Sequence, residues 1–330
     1  MARLFQLTFL LLALGFSAHD ASAADAPLVL ERKIPLEKVG GRIDHFALDR
    51  SRHHLFLAEL GNDSVSVVNL ATGVVDHRIE GLGEPQGVAY VAETDTLYVA
   101  NGDDGAVRVF RASDFAQIGK IDLKDDADNV RVDAPNHLVY VGFGSGAVAA
   151  IDVRTMAKTM EMRLKAHPES LRLDPAGNRL FVNVPNAHEV AVLDRTSGKA
   201  LTAWQSQPDA RANFPMAVRA DGTQIFVGYR SPARLVAFDT KDGRTVFNVP
   251  TCGDADDVFL DEKRQRAYVS CGEGVIDVFQ TTATSANRIA QLKVSSGART
   301  SFFDAEGDRL FLAVRASIGE PAAIWVYRPQ

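Results

Sequence analysis

Cysteine is scarce in this chain: Cys252 and Cys271 are the only two among 330 residues. A Cys-x18-Cys pair makes no metal signature. The short motifs of common enzyme chemistry are missing as well. There is no Gly-x-Ser-x-Gly elbow, no Cys-x-x-Cys-His haem site and no His-Glu-x-x-His helix. Gly142-Phe143-Gly144-Ser145-Gly146 is glycine-rich but leads into a strand, so it lacks the helix a phosphate loop needs. Positive charge is not in surplus. The 36 Lys+Arg against 42 Asp+Glu leave a net charge of −6, which argues against nucleic acid as a partner. Beyond the N-terminus no run approaches the ~18 apolar residues of a membrane span. No linker or low-complexity stretch divides the chain.

Met1-Ala2-Arg3 is followed by a stretch from Leu4 to Phe16 that is apolar apart from Gln6, Thr8 and Gly15. Ala21-Ser22-Ala23 then supplies small-x-small cleavage chemistry. The reading is a secretory signal over 1–23 and a single domain over 24–330, placed in the periplasm or secreted. In that oxidising setting Cys252 and Cys271 are expected to pair. Closing a loop of roughly twenty residues contributes about 3 kcal/mol in the chain-entropy model.

What the chain does have is repetition. Leu55-Phe56-Leu57-Ala58 returns as Leu97-Tyr98-Val99-Ala100, and the aromatic recurs at 140, 181, 226, 268 and 311. A period of about forty residues built on short β-rich phrases marks a propeller with one four-stranded blade per repeat. The fold predicted is an all-β, seven-bladed β-propeller of antiparallel strands. Repeat four shows the grammar. Strand A is Ser170 to Leu173, B is Arg179 to Val184, C is Glu189 to Asp194 and D is Ala200 to Trp204, with Asp174-Pro175-Ala176-Gly177-Asn178 as the A–B turn. Asp49, Asp133, Asp174, Asp261 and Asp304 occupy that turn in five repeats, which suits capping of turn amides. The seventh repeat stops at strand C, so the segment from Leu28 to Ile34 is expected to close the last blade as its outer strand. A closed ring of this kind is expected to be a monomer.

The phrases Leu97-Tyr98-Val99-Ala100-Asn101 and Leu180-Phe181-Val182-Asn183 resemble the YVTN-type β-propeller repeat family, in its secreted YncE-like branch. The resemblance runs from residue 28 to 330. It implies the fold, but not one activity, because related propellers serve as binding modules, as partners of redox cofactors in quinoprotein dehydrogenases, and as lactonases with or without a metal.

Chemistry in a propeller gathers where strands A enter the channel. The pairs ahead of strand A are Asp44-His45, Gln86-Gly87, Asp128-Asn129, Glu169-Ser170, Phe214-Pro215, Asp256-Asp257 and Arg299-Thr300, and strands B end at Glu59, Asn101, Asn183, Tyr229 and Arg315. The expected ligand-binding residues are Asp44, His45, Gln86, Asp128, Asn129, Glu169, Tyr229, Asp256, Asp257 and Arg299. They form a polar mouth suited to a small polar ligand or a periplasmic protein partner. Asp44, Glu59, Asp128, Glu169 and Asp256 have the oxygen donors that Ca²⁺ or another divalent cation would need. The alternative is a lactonase-type hydrolase with His45, Glu169 and Arg299 as the catalytic trio. Gluconolactonase-like propellers have six blades rather than seven, and their ligand pattern cannot be matched here residue by residue.

Overall fold

The computed structural model describes residues 26–205 and 209–330; the expected signal, 1–23, lies outside the described residues. The described residues form seven four-stranded antiparallel sheets; six run A-B-C-D outward in sequence order, and the seventh takes its outer strand from the N-terminal side. Blade 4 is Ser170–Leu173, Arg179–Val184, Glu189–Asp194 and Ala200–Gln205. Blade 7 takes strands A to C from Ser301–Asp304, Arg309–Val314 and Ala322–Pro329. Its outer strand is Leu28–Leu36, with Leu28 opposite Pro329 and Leu36 opposite Ala322. The ring is therefore closed by pairing the first and last described strands.

The recurring aromatic explains why the blades stay together. Phe56, Tyr98, Tyr140, Phe181, Phe226, Tyr268 and Phe311 are all 2% exposed or less. Each sits in strand B and shares a core cluster with the blade that follows. Phe56 packs with Val88 and Val99 of blade 2, and Phe181 with Met216 and Ile225 of blade 5. Phe311 packs with Ile43 and Leu55 of blade 1, completing the circle. A strand covered on both faces needs apolar residues at every position, which is why strand B reads as a continuous apolar phrase. Cys252 and Cys271 form a disulfide within blade 6, with Cα atoms 5.9 Å apart.

The A–B turns hold the opposite rim. Asp49 accepts hydrogen bonds from the Ser51 and Arg52 amides, and Asp304 from those of Glu306 and Gly307. The same aspartates also receive arginines. Arg52 joins Asp49 to Asp95 of blade 2 (2.7 and 2.9 Å), and Arg264 joins Asp261 to Asp308 of blade 7 (2.7 and 2.8 Å).

One expectation needs correction. Gln86-Gly87, Asp128-Asn129, Phe214-Pro215 and Asp256-Asp257 do not precede strand A. They lie within Pro85–Val91, Ala127–Asp133, Arg211–Val218 and Ala255–Asp261, where the pairing with strand B slips through a bulge. A bulge places two residues opposite one and re-aims them. Adjacent side chains such as Asp256 and Asp257 can then face the same cavity. Gly87 is required for a different reason: a Cβ there would lie 2.0 Å from the Asp128 carbonyl oxygen.

Candidate functional site at the channel

A cavity of about 210 Å³ occupies the mouth formed by the D–A and B–C loops, and all seven blades contribute side chains to it. Asp44 and His45 enter from blade 1, Gln86 from blade 2, Asp128 and Asn129 from blade 3 and Glu169 from blade 4. Asp256 and Asp257 come from blade 6 and Arg299 from blade 7. Nine of the ten expected ligand-binding residues, and all three of the lactonase trio, are thus brought to one chamber.

Tyr229 is not brought there: it is 0% exposed and packed in the blade 4–blade 5 core. Its neighbour Arg230 faces the chamber instead, its guanidinium 3.7 Å from the centre of the Phe214 ring. Successive residues of a strand point to opposite faces, so a one-residue misassignment exchanges core for cavity. Glu59 is also turned away. It is 0% exposed, accepts hydrogen bonds from the Ser64 and Ser66 hydroxyls, and lies 3.3 Å from Arg78. Asn101 and Asn183 likewise use their amides on blade carbonyls.

The chamber's charges are already arranged in pairs. Arg42 meets Asp44 at 2.9 Å. Asp256 sits between Arg230 and Arg299, and Arg299 also forks onto both oxygens of Asp254 (2.8 and 2.9 Å). Burial works against the Arg299 charge, but Asp256 and Asp254 outweigh it and raise its pKa. Deeper in, desolvation dominates. Burial pushes Asp128 well above the usual carboxylate range, and the charges of Asp44 and Glu169 add to the effect. Burial also raises Glu169. It raises Asp257 strongly as well, with Asp256 adding repulsion, while the Ser301 amide donates to Asp257 at 2.8 Å. His45 moves the other way: burial lowers its pKa, although Asp44 lies 3.7 Å from its Nε2. Burial thus works against charge throughout the chamber, lowering His45 and raising Asp128, Glu169 and Asp257.

The carboxylates do not fit a divalent cation. Glu59 points elsewhere, Asp44 and Asp256 are engaged by arginines, and among the described residues no three His, Cys, Asp or Glu side chains converge on a metal position.

Two further groups close the floor. Arg131 and Arg172 project from strands A of blades 3 and 4 into the channel, and with His45 and Asp257 they form a belt at mid-depth. Both alternate with apolar neighbours, in Val130-Arg131-Val132 and Leu171-Arg172-Leu173. That period of two is the signal that could have identified them. Neither they nor Arg230 were among the expected residues.

Among the described residues no helix is long and apolar enough to cross a membrane. No protein-family model and no curated protein sequence matches the chain. Solved structures do resemble it. One is the Kuenenia stuttgartiensis hydrazine synthase, at 16% identity and a TM-score of 0.76, covering 88% of this chain and 96% of that one. Another is a chain of the mitotic checkpoint complex, at 15% identity and a TM-score of 0.78, covering 97% of this chain and 99% of that one. At such identities the likeness is one of fold, and the fold is a seven-bladed β-propeller.

Proposed function

We propose that this chain is an exported YVTN-type propeller that binds a small polar ligand, or a polar segment of a protein, in the seven-blade chamber. The observation that carries the reading is the ring of donors and acceptors from every blade around one enclosed space. About 210 Å³ is below the ~300–1,000 Å³ of drug-sized sites, so the occupant is small. The ion pairs hold Arg230 and Arg299 before any ligand arrives, which lowers the ordering cost of binding. Gln86 and Asn129 then offer uncharged hydrogen-bonding partners beside them. The disulfide is compatible with export.

A thermal-shift screen of small polar compounds, including amino acids, sugar acids and lactones, tests this. Compounds that raise the melting temperature of the wild type should bind at least tenfold more weakly to Arg299→Gln. If no compound distinguishes the two proteins, the chamber is not a ligand site.

One observation favours a second reading, metal-independent lactone hydrolysis. A neutral imidazole and a carboxyl with a raised pKa share the chamber, which is the pairing acid–base chemistry uses. His45 would take a proton from water as it adds to the lactone carbonyl, and Arg299 would stabilise the oxyanion. Glu169 would then give its proton to the ring oxygen as the C–O bond breaks. Lactone turnover that disappears in His45→Gln would establish this reading; absence of turnover in the wild type would leave the binding module.

A further inference from the structure

Beyond the belt the channel changes character. A second cavity, about 540 Å³, opens at the face of the A–B turns and shares only His45, Arg131 and Asp257 with the polar chamber. Its walls are apolar side chains of the A strands, among them Leu48, Val132, Val218, Phe259, Leu260 and Phe302. Its inner end is the opposite. Each guanidinium carries five donors. Arg131 is seen to donate to the Val130 carbonyl at 2.7 Å and Arg172 to the Leu171 carbonyl at 3.0 Å. Neither lies within the 4.0 Å ion-pair distance of a carboxylate among the described residues. The carboxyl they share, Asp257, is tied to the Ser301 amide. Burial and the Asp256 charge raise its pKa, while Arg172 and Arg131 pull it back down. Burial weakens both arginines' hold on their protons, and at Arg172 the Arg131 charge adds to this. Guanidinium nevertheless stays protonated in proteins, so the belt is a cationic patch at the bottom of an apolar funnel.

A purely apolar occupant would leave those donors facing hydrocarbon, and a small inorganic anion would leave the walls bare. A ligand carrying both chemistries answers both. We propose that the turn-side cavity is a second binding site, for an amphipathic carboxylic acid. The carboxylate bridges Arg131 and Arg172, and the hydrocarbon or aromatic tail lies along the A strands toward the open face. Fork-like guanidinium–carboxylate pairing provides the specificity. About 540 Å³ lies within the ~300–1,000 Å³ of small-molecule sites, so a ten-carbon acid fits. This proposal does not depend on what the polar chamber binds.

Calorimetric titration of the full protein with decanoate below its micelle concentration provides the test, with 1-decanol and acetate as the tail-only and head-only controls. Decanoate should bind saturably at one site, at least tenfold more tightly than either control. Arg172→Gln should weaken it tenfold or more, and Arg172→Lys less. Val218→Trp, which fills the funnel without touching the belt, should remove binding while the protein melts as a folded unit. Decanol binding as tightly as decanoate would overturn the proposal. So would decanoate binding unchanged in both Arg172→Gln and Val218→Trp, or no saturable binding to the wild type.

Discussion

His45 stands where the two cavities meet, and the titration of the groups around it gives the channel a pH signature with two opposing signs. Its pKa is lowered in the fold, so the folded state binds protons less readily than the unfolded chain. Its contribution is present above the ordinary histidine value of ~6.5 and is lost as pH falls through the folded value. Asp128 and Asp257 are raised, and for them the sign reverses. Their contribution is complete below the ordinary aspartate value of ~3.9 and is lost as pH rises through the folded values. Asp257→Asn keeps an oxygen for the Ser301 amide and removes the titration. Its melting temperature should gain on that of the wild type as pH rises from about 4; parallel profiles would contradict this assignment. At this scale the sequence was informative in part. Carboxylates, His45 and Arg299 could be placed at the mouth because seven aligned repeats bring equivalent positions to one end of the channel, although four of the pairs lie inside strand A rather than ahead of it. Tyr229 and Glu59 went astray because the end of strand B does not announce which face each residue takes. Arg131 and Arg172 passed unnoticed because a charged residue in a strand ordinarily reads as solvent-facing, whereas the face opposite the core here is a channel.

Among the elements, strand B carries the cohesion and the D–A loops carry the site. Phe226 of blade 5 packs into the blade 6 core with Val258 and Val269, so Phe226→Ala should cost about 3–5 kcal/mol, read by denaturant unfolding. The disulfide has a more local task. Cys252 opens the short segment that carries Asp254 in the loop and Asp256 at the start of the following strand, the two carboxylates that hold Arg299, and its partner Cys271 ends strand B beside it. Reduction should remove about 3 kcal/mol of stability. It should also weaken any ligand of the polar chamber more than any ligand of the apolar funnel; equal weakening of both would mean that the bridge does not organise the loop. Strand boundaries were readable almost to the residue in blade 4, where Asp174-Pro175 and the Ser197-Gly198 turn punctuate the chain. The bulges in blades 2, 3, 5 and 6 were not readable, since an extra residue in a strand leaves no local mark when both strand faces are occupied.

For the whole molecule, closure and the turn-side arginine bridges act together. Deleting Leu28–Leu36 exposes the edge of Ala322–Pro329 and removes Ile34 and Leu36 from the blade 7–blade 1 core, so the melting temperature should fall sharply. An unchanged melt would mean that the ring does not need its outer strand. Stronger acid should weaken the other rim as well. Arg264 holds Asp308 at a pKa of about 2, below the ordinary ~3.9, so that contribution is lost as pH falls through this interval. The seven-fold arrangement was legible from the spacing alone, because a core shared between successive blades forces each repeat to present the same aromatic at the same place.

The pairing of the two ends has one more consequence. The Gln330 amide donates to the Pro27 carbonyl at 3.1 Å, so the first and last strands of the ring bring these two residues together without a covalent bond. In topological terms the molecule is a loop with an arbitrary cut. A short linker from Gln330 to Pro27 with new ends opened at the exposed Ser197-Gly198 turn should yield a circular permutant with the same blades, the same channel and the same order of neighbours.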